Sequence, residues 1–372
     1  MSKRRKISAA MATHWFVKSR SPDALADLVA TTEARRQELL RRLNFAPGGT
    51  EALVRMRSAL LSAVKDNENF KRVDADFQHL LASWFNRGFL VLRPIDWNTP
   101  AQILEKIIEY EAVHEIDSWD ELRRRLQPAD RRCFAFFHPA MPNEPLIFVE
   151  VALTGDIASS IQDVLAPTRD IIAPGDATTA VFYSISNCQR GLKGVSFGNF
   201  LIKQVAQDLG RALPGLKTFV TLSPVPGFGR WVRDTAKAAG GGPAAEALTM
   251  TADMSWARDP EKAEAAKAGI MALAAEYFLE AKRGDGQPLD PVARFHLSNG
   301  ASLARINWLA DTSAKGLAQS FGVMVNYLYE LDQVEAHHED YAEQRTVHSS
   351  RTVRGLLPPP DRSALKTKGS RS

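Results

Sequence analysis

The chain has 372 residues, of which 45% are hydrophobic and 24% charged, a globular composition long enough for two domains. The net charge of +4, from 47 basic and 43 acidic residues, suits an anionic ligand but does not require nucleic acid. No apolar run reaches about 18 residues, so we expect no membrane span. The two cysteines, Cys133 and Cys188, favour a reducing compartment over a disulfide framework. Neither has a second sulfur or a nearby histidine at metal spacing, so we expect no metal site.

Both ends of the chain are basic. The opening residues, 1–22, contain four consecutive cations from Lys3 to Lys6 and no acid. The closing residues, 361–372, carry Arg362, Lys366, Lys368 and Arg371. Such segments are typical of solvated, disordered tails. The acid-free start is also a weak feature of organelle presequences, but no long amphipathic Arg- and Ser-rich stretch follows, and we expect a cytoplasmic protein.

Residues 23–86 show the periodicity of helices throughout. Leu25, Leu28 and Val29 open the pattern, which Pro47-Gly48-Gly49 interrupts. The apolar faces of the next helices comprise Leu53, Met56, Leu60, Leu61 and Val64, and then Phe77, Leu80, Leu81 and Trp84. Consecutive amphipathic helices with short connections predict an all-helical bundle. Because no chemistry is visible in it, we interpret it as a packing or oligomerisation domain.

The pattern changes at Gly88, and residues 87–360 are typical of a mixed α/β domain. Cys133–Phe137 and Leu146–Val151 flank a turn that contains proline and asparagine, which predicts an antiparallel hairpin. Two further strands are predicted at 179–186 and 218–223, with a helix between them. The segment at about 230–287 is rich in Ala, Gly and Lys, and we predict a helical insertion that covers the site. The predicted fold class is α+β, with the helical bundle first and the mixed domain after it.

A glycine loop between the last two predicted strands is the most informative segment. Its residues are Gln189, Arg190, Gly191, Leu192, Lys193 and Gly194, and Ser196 can cap the helix that follows. A strand, a glycine loop and a helix N-terminus present backbone N–H groups to an anion, and two cations stand beside them. The pattern alone is weak, because two glycines before a helix also form ordinary turns. Its nearest relative is the pyrophosphate loop of the N-acetyltransferase (GNAT) fold, which accepts coenzyme A.

Two serines and a histidine are candidate site residues. Ser223 ends a strand before two prolines, and a right-handed crossover makes that strand parallel to the one that carries Ser184. Both serines then lie near the carboxyl ends of neighbouring strands, where open α/β sheets bind ligands, although a serine before proline is often only a strand-end cap. His296 lies among apolar residues before Asn299-Gly300, as either a hydrogen-bonded core histidine or a catalytic one. The stretch 337–340 contains two histidines and two acids, but adjacent side chains on a helix point apart, which argues against a metal site.

Together, these segments resemble the malonyl-CoA decarboxylases. The resemblance covers about 23–355 and rests on WFNRGFL at 84–90, CFAFFHP at 133–139, PLIFVEVAL at 145–153, FYSIS at 182–186, the QRGLKG loop, LSPVPGF at 222–228, FHLSNGA at 295–301, RINWLAD at 305–311 and VNYLY at 325–329. It implies a helical domain used in oligomer assembly, as a dimer or tetramer, and a GNAT-like catalytic domain. It also implies a catalytic pair, Ser223 and His296, and a further serine of the acyl pocket, Ser184. The loop 189–194 then becomes the coenzyme A pyrophosphate site, and we add Asn299 to the substrate-binding residues.

The implied reaction removes CO2 from malonyl-CoA and leaves acetyl-CoA. The thioester itself delocalises the negative charge that develops, so we expect neither a metal nor an organic cofactor, and coenzyme A is part of the substrate. The competing prediction is an acyltransferase of the same fold that moves an acyl group to an amine, because fold alone does not fix function. A non-enzymatic acyl-CoA-binding regulator is a third reading. None of the three requires nucleic acid or a membrane as a partner.

Overall fold

The computed structural model describes residues 3–64, 67–195 and 201–359, which form two compact units. The first unit contains the described residues up to 91 together with 137–144 and 189–195. The second contains 92–136, 145–188 and the described residues from 201 onwards. The boundary predicted at 86/87 lies close to the first limit. Two short segments that the sequence assigned to the α/β domain belong instead to the helical unit, because their contacts are made with it. The predicted tail at 361–372 and the predicted cap Ser196 lie outside the described residues.

The first unit is built from helices, as the periodicity predicts. In its described residues they are α1 (Lys3–Ser19), α2 (Pro22–Thr32), α3 (Arg35–Asn44), α4 (Gly49–Ala63) and α5 (Glu68–Trp84). Ser21 caps α2 by accepting from the backbone N–H of Ala24 at 3.2 Å, with Pro22 in the first turn. The core of the unit includes the buried side chains Leu53, Phe77, Leu80 and Leu81.

The prediction of a disordered tail over 1–22 is wrong for Lys3–Ser19, which is helical. The segment contains neither glycine nor proline and is rich in Ala, Lys and Arg, all of which favour a helix. Pro22 then prevents α1 from continuing and begins α2. Ala12 is 3% exposed because α1 packs along α2, although most other side chains of α1 are exposed.

The sheet and the remaining helices lie almost wholly in the second unit. The helices are α6 (Ala101–Tyr110), α7 (Trp119–Leu126), α8 (Ile161–Leu165), α9 (Leu201–Ala212), α10 (Phe228–Ala239), α11 (Pro243–Met250), α12 (Pro260–Leu279), α13 (Pro291–Ser298), α14 (Ala314–Ser320), α15 (Val334–Gln344) and α16 (Arg351–Arg354). The strands are β1 (Val91–Ile95), β2 (Arg131–Phe137), β3 (Ile147–Thr154), β4 (Thr179–Asn187), β5 (Thr218–Thr221), β6 (Ser223–Pro224), β7 (Ser302–Asn307) and β8 (Met324–Leu328). No helix of the described chain combines the length and the apolar character that crossing a membrane requires.

The strands form one mixed sheet in the order β1-β2-β3-β4-β5-β8-β6, with β7 paired to β8. The predicted hairpin of β2 and β3 is antiparallel, with Cys133 opposite Glu150. Strands β4 and β5 are parallel, and α9 lies between them in sequence, as the crossover argument predicts. A helical unit is thus followed by a mixed α/β sheet domain, so the predicted α+β fold class is confirmed.

The parallel pair opens at its carboxyl end, and this opening positions the site. The shared register ends where Phe182 lies opposite Thr221. Beyond that point β4 stays paired with β3 as far as Asn187. The other strand breaks at Leu222 and resumes as β6, in which Ser223 pairs with Val325 of β8. The two strands therefore leave a gap at the edge where ligands of α/β sheets bind.

Candidate active site

A cavity of about 230 Å³ lies at the gap between the separating strands. Its lining residues are Val113, Phe182, Tyr183, Ile185, Asn187, Ser223, Pro224, Pro291, Val292, Phe295 and His296. Most of these side chains are apolar, and Ser223 and His296 bring polar atoms to the wall. The structure therefore brings together the two residues that the resemblance assigned to catalysis.

Ser223 and His296 are in direct hydrogen-bonding contact. The Oγ atom of Ser223 lies 3.1 Å from Nε2 of His296 and 2.9 Å from Oγ1 of Thr221, to which it donates. Because a serine hydroxyl has one hydrogen, this arrangement requires the Nε2–H tautomer of the histidine. The ring then donates to Ser223, and its Nδ1 accepts from the hydroxyl of Tyr329 at 2.8 Å. The result is a continuous chain of hydrogen bonds from Tyr329 through His296 and Ser223 to Thr221.

The imidazole of His296 is neutral. It is 2% exposed, and burial lowers its pKa from 6.5 to about 3. Burial also raises the pKa of Tyr329 well above its usual value, so this phenol keeps its hydrogen and acts as the donor. A ring of Tyr327 stacks on the imidazole, with centroids 4.5 Å apart and planes inclined by 22°. The site thus holds an uncharged imidazole in a fixed orientation.

Helix α13 carries His296, and capping contacts fix both of its ends. Asp290 caps its first turn, accepting from the N–H of Ala293 at 2.8 Å, and Pro291 occupies the first helical position. Asn299 is the C-cap, and its side-chain amide donates to the carbonyl of Phe295 at 2.7 Å. Asn299 is not among the residues that line the cavity, although the sequence assigned it to substrate binding. Its contacts here hold the helix end that carries the histidine.

Ser184 turns away from the cavity. Its hydroxyl donates to the carboxylate of Glu111, at 2.7 Å from Oε2 and 2.9 Å from Oε1, and the serine is 1% exposed. Tyr183 and Ile185, which alternate with it along β4, line the cavity instead. Glu111 also accepts from the N–H groups of residues 113 and 114, at 2.7 and 2.9 Å, so it fixes the segment that carries the cavity residue Val113. In this conformation, Ser184 and Glu111 support the wall of the cavity from behind.

Sequence reasoning missed Thr221, Tyr329 and Glu111. Strand alternation could have found the first, because Thr221 precedes Ser223 by two residues. Tyr329 follows β8 in the VNYLY segment, where an aromatic residue is more often part of a core. Glu111 ends a helix far from Ser184 in sequence, and no local signal points to their contact.

The glycine loop lies in the first unit and is fixed by its own turns. The N–H groups of residues 192, 193 and 195 donate to the carbonyls of 189, 190 and 192, at 2.9, 3.1 and 2.9 Å. Gly191 and Leu192 are buried, whereas Arg190 and Lys193 are exposed. Gln189 donates from Nε2 to the carboxylate of Glu144 at 3.3 Å. The two cations therefore face solvent, as an anion site requires, while part of the backbone N–H set is used inside the loop.

The described residues contain no group of three or more His, Cys, Asp or Glu side chains arranged to hold a metal ion. A mixed sheet whose central parallel strands open onto a buried, hydrogen-bonded serine–histidine pair is typical of an α/β enzyme. A family model for the C-terminal domain of malonyl-CoA decarboxylase matches residues 88–367, and a model for the N-terminal domain matches 2–85. The chain therefore belongs to the malonyl-CoA decarboxylase family.

Individual relatives agree with the family models. The chain is 35% identical over 351 residues to the mitochondrial malonyl-CoA decarboxylase of Rattus norvegicus, covering 87% of this chain and 71% of the relative. It is 54% identical to the crystal structure of malonyl-CoA decarboxylase from Agrobacterium vitis, with a TM-score of 0.90 over 95% of this chain and 87% of that one. The corresponding structure from Rhodopseudomonas palustris is 53% identical, with a TM-score of 0.88 over 94% and 86% of the two chains. Each comparison spans both the helical and the α/β parts of the chain.

Proposed function

We propose that this chain decarboxylates malonyl-CoA to acetyl-CoA and CO2, and that Ser223 and His296 carry the polar part of the reaction. The supporting observation is their hydrogen bond at the wall of a largely apolar cavity. When the bond between the methylene carbon and the carboxylate breaks, its electron pair moves into the thioester as an enolate. The site must then stabilise the enolate oxygen and return a proton to the carbon.

The charge state of the cavity wall favours loss of CO2. A cation beside the malonyl carboxylate would stabilise the substrate, in which the charge is localised, more than the transition state, in which it is leaving. The neutral imidazole of His296 avoids this, since its pKa is about 3. Val113, Val292 and Phe295 supply apolar surface to the same cavity. A carboxylate held against such surface gains free energy when it becomes neutral CO2.

His296 and Ser223 can both stabilise the enolate and protonate it. In the Nε2–H tautomer, the ring donates towards Ser223, and the serine hydroxyl can rotate from Thr221 towards a bound thioester oxygen or carbanion. As the serine proton moves to the carbon, the Nε2 hydrogen of His296 moves to Ser223. The negative charge that the substrate carboxylate brought in then lies on the Ser223–His296 pair until a proton from solvent neutralises it, while Tyr329 keeps its hydrogen. The hydroxyl of Tyr329 already orients the ring N–H, so only the serine hydroxyl has to turn towards the substrate.

Loop 189–194 is proposed to bind the pyrophosphate of coenzyme A. Support comes from the exposed cations Arg190 and Lys193 on a loop whose backbone is fixed by internal turns. Charge-assisted hydrogen bonds from such side chains to phosphate oxygens are stronger than neutral ones.

We further propose a homo-oligomer assembled through the helical unit. Apolar side chains at one-turn spacing are solvent-exposed on α1: Ile7, Met11 and Trp15 at 53%, 68% and 44%. On α2, Leu25 and Val29 are exposed to 47% and 58%. Contiguous exposed apolar surface of this kind is typical of an interface, and a second copy presents the same surface.

A cytoplasmic location is also proposed. Cys133 and Cys188 are both buried and are not joined in a disulfide, which is consistent with a reducing compartment. Fractionation of cells that express the tagged chain, with immunodetection in each fraction, tests the location. Recovery in an organelle or an envelope fraction would contradict it.

The decisive experiment incubates purified protein with malonyl-CoA and follows the products by chromatography, with and without an amine acceptor. We expect steady formation of acetyl-CoA that does not depend on the amine. His296→Asn and Ser223→Ala should each lower kcat by roughly 10²-fold, with a smaller effect on KM. Acylated amine as the main product would identify an acyltransferase instead. Activity within about tenfold of wild type in either folded variant would remove that residue from the mechanism.

A further inference from the structure

A buried arginine of the helical unit bonds to the glycine loop. Arg57 of α4 is 1% exposed, and its Nη1 donates to the carbonyl of Gly191 at 2.8 Å. Its Nε donates to Oδ1 of Asp74, on α5, at 2.7 Å. A charged side chain is rarely buried to this degree unless it is paired, and here the carboxylate provides the pairing. The guanidinium therefore joins two helices of the bundle to one backbone carbonyl of the loop.

A second side chain of the bundle holds the other glycine. Gln78 of α5 donates from Nε2 to the carbonyl of Gly194 at 3.0 Å. Gly194 has a φ of 77°, a conformation that favours glycine. A Cβ atom on Gly191 would lie 2.0 Å from the carbonyl oxygen of Val54, so the loop is packed directly on α4. The loop is therefore held at both of its glycines by residues of the helical unit.

These contacts fix the backbone of the loop and leave its two cations exposed. The bundle donates hydrogen bonds to the carbonyls of Gly191 and Gly194, while Arg190 and Lys193 face solvent. A loop that is already ordered loses less conformational entropy when a ligand binds, which increases affinity without any new contact to the ligand. Displacing such a loop by about 1 Å can weaken recognition by a large factor.

We propose that Arg57 and Gln78 are positioning residues for coenzyme A recognition, so that the helical unit contributes to substrate affinity as well as to assembly. This inference rests on the proposed role of loop 189–194 as the pyrophosphate site. The two residues do not contact the ligand. They hold the backbone that does, and their effect is confined to substrates that carry the pyrophosphate.

The test compares malonyl-CoA with malonyl-pantetheine, a thioester that has the same reacting end but lacks the diphosphate and nucleotide. Gln78→Ala removes the bond to Gly194 with little disturbance, and Arg57→Lys keeps the charge while losing the two-armed geometry. We expect each variant to raise KM for malonyl-CoA roughly tenfold, with kcat changed less than about twofold. For malonyl-pantetheine, KM should stay at the wild-type value.

The matched control is Arg36→Gln, which breaks another ion pair of the same bundle. The Nε atom of Arg36 donates to Asp76 of α5 at 2.8 Å rather than to a carbonyl of the loop. This variant should leave both KM values unchanged. Circular dichroism and thermal unfolding of each variant report folding separately, and Gln78→Ala keeps the test available if Arg57→Lys does not fold.

Three outcomes would overturn the inference. An unchanged KM for malonyl-CoA in the folded Gln78→Ala variant would show that the contact does not position the site. An equal rise of KM for both substrates would show a general structural effect. Identical wild-type KM values for the two substrates would remove the loop from pyrophosphate recognition, and the inference with it, while leaving the Ser223–His296 decarboxylation intact. If the folded wild-type protein does not turn over malonyl-CoA at all, the proposed function itself is refuted.

Discussion

Tyr329 determines which nitrogen of His296 carries the proton. Its hydroxyl lies 2.8 Å from Nδ1, and burial of the phenol keeps it protonated, so Nδ1 acts as the acceptor and Nε2 keeps the hydrogen. Tyr329→Phe leaves the ring packing in place and removes only this donor. The neutral imidazole can then exchange tautomers, and the form with a bare Nε2 has no proton for the carbanion.

We therefore expect Tyr329→Phe to lower kcat for malonyl-CoA by roughly tenfold and to change KM little. Steady-state kinetics at saturating substrate would measure the effect. Tyr341→Phe is a suitable control, because this hydroxyl is also buried but lies outside the cavity. If kcat of Tyr329→Phe remains within twofold of wild type, the tautomer is set without the phenol.

The turn after α13 is the element that ties the histidine to the rest of the second unit. Gly300 has a φ of 79°, and a Cβ atom there would lie 2.0 Å from the carbonyl oxygen of Val334, at the start of α15. The end of α13 and the start of α15 can approach this closely only because residue 300 has no side chain. Any displacement of the turn moves His296, which lies one turn earlier in the helix.

Gly300→Ala tests this close approach. We expect the free energy of unfolding to fall by about 2 kcal/mol or more, from the strained φ and the clash together, and kcat to fall with it. Gly286→Ala is the matched control, since Gly286 has a φ of 78° but its nearest neighbour would be a flexible Arg345 side-chain atom at 3.7 Å. Chemical denaturation and activity assays of both variants separate the two causes. Equal destabilisation in the two variants would assign the whole effect to backbone strain.

At the scale of the whole molecule, sequence patterns predicted what local periodicity and strand order determine. They predicted the helical bundle, the β2–β3 hairpin and the parallel β4–β5 pair, and the family resemblance supplied the Ser223–His296 pairing. They did not predict that loop 189–194 packs against α4, since that contact joins residues 134 positions apart in the chain. Contacts between distant segments depend on tertiary packing, which local patterns do not encode. The basic charge of residues 1–22 predicts a tail, whereas the high helix propensity of Lys3–Ser19 produces α1.

Assembly is a property of the whole molecule that the exposed face of α1 makes testable. Met11→Glu places a charge at the centre of the apolar row between Ile7 and Trp15, so we expect a smaller species than wild type in light scattering coupled to size-exclusion chromatography. Thr13→Glu makes a charge change on another face of the same helix and should keep the wild-type mass. If Met11→Glu also keeps that mass, the subunits associate through another surface.

The stability of the molecule should depend on pH through His296. Its pKa is about 3 when folded and 6.5 in an unperturbed chain, so between these values the unfolded state binds more protons. The neutral form is matched to the folded site above pH 6.5, and stability is lost as the pH falls below that value. At pH 4 the loss relative to pH 7 is about 3 kcal/mol, from roughly 1.4 kcal/mol for each unit of pKa difference.

Comparison with His296→Asn isolates this contribution. Both proteins retain the other groups whose pKa changes on unfolding, such as Asp290, whose pKa is raised to about 6 by burial. Stability that Asp290 gains from its proton at low pH is therefore common to both. We expect urea denaturation to show wild type losing more stability than the variant between pH 7 and pH 4. A constant difference across this range would mean that the ring becomes protonated in the folded protein, which would contradict the neutral site on which the decarboxylation mechanism depends.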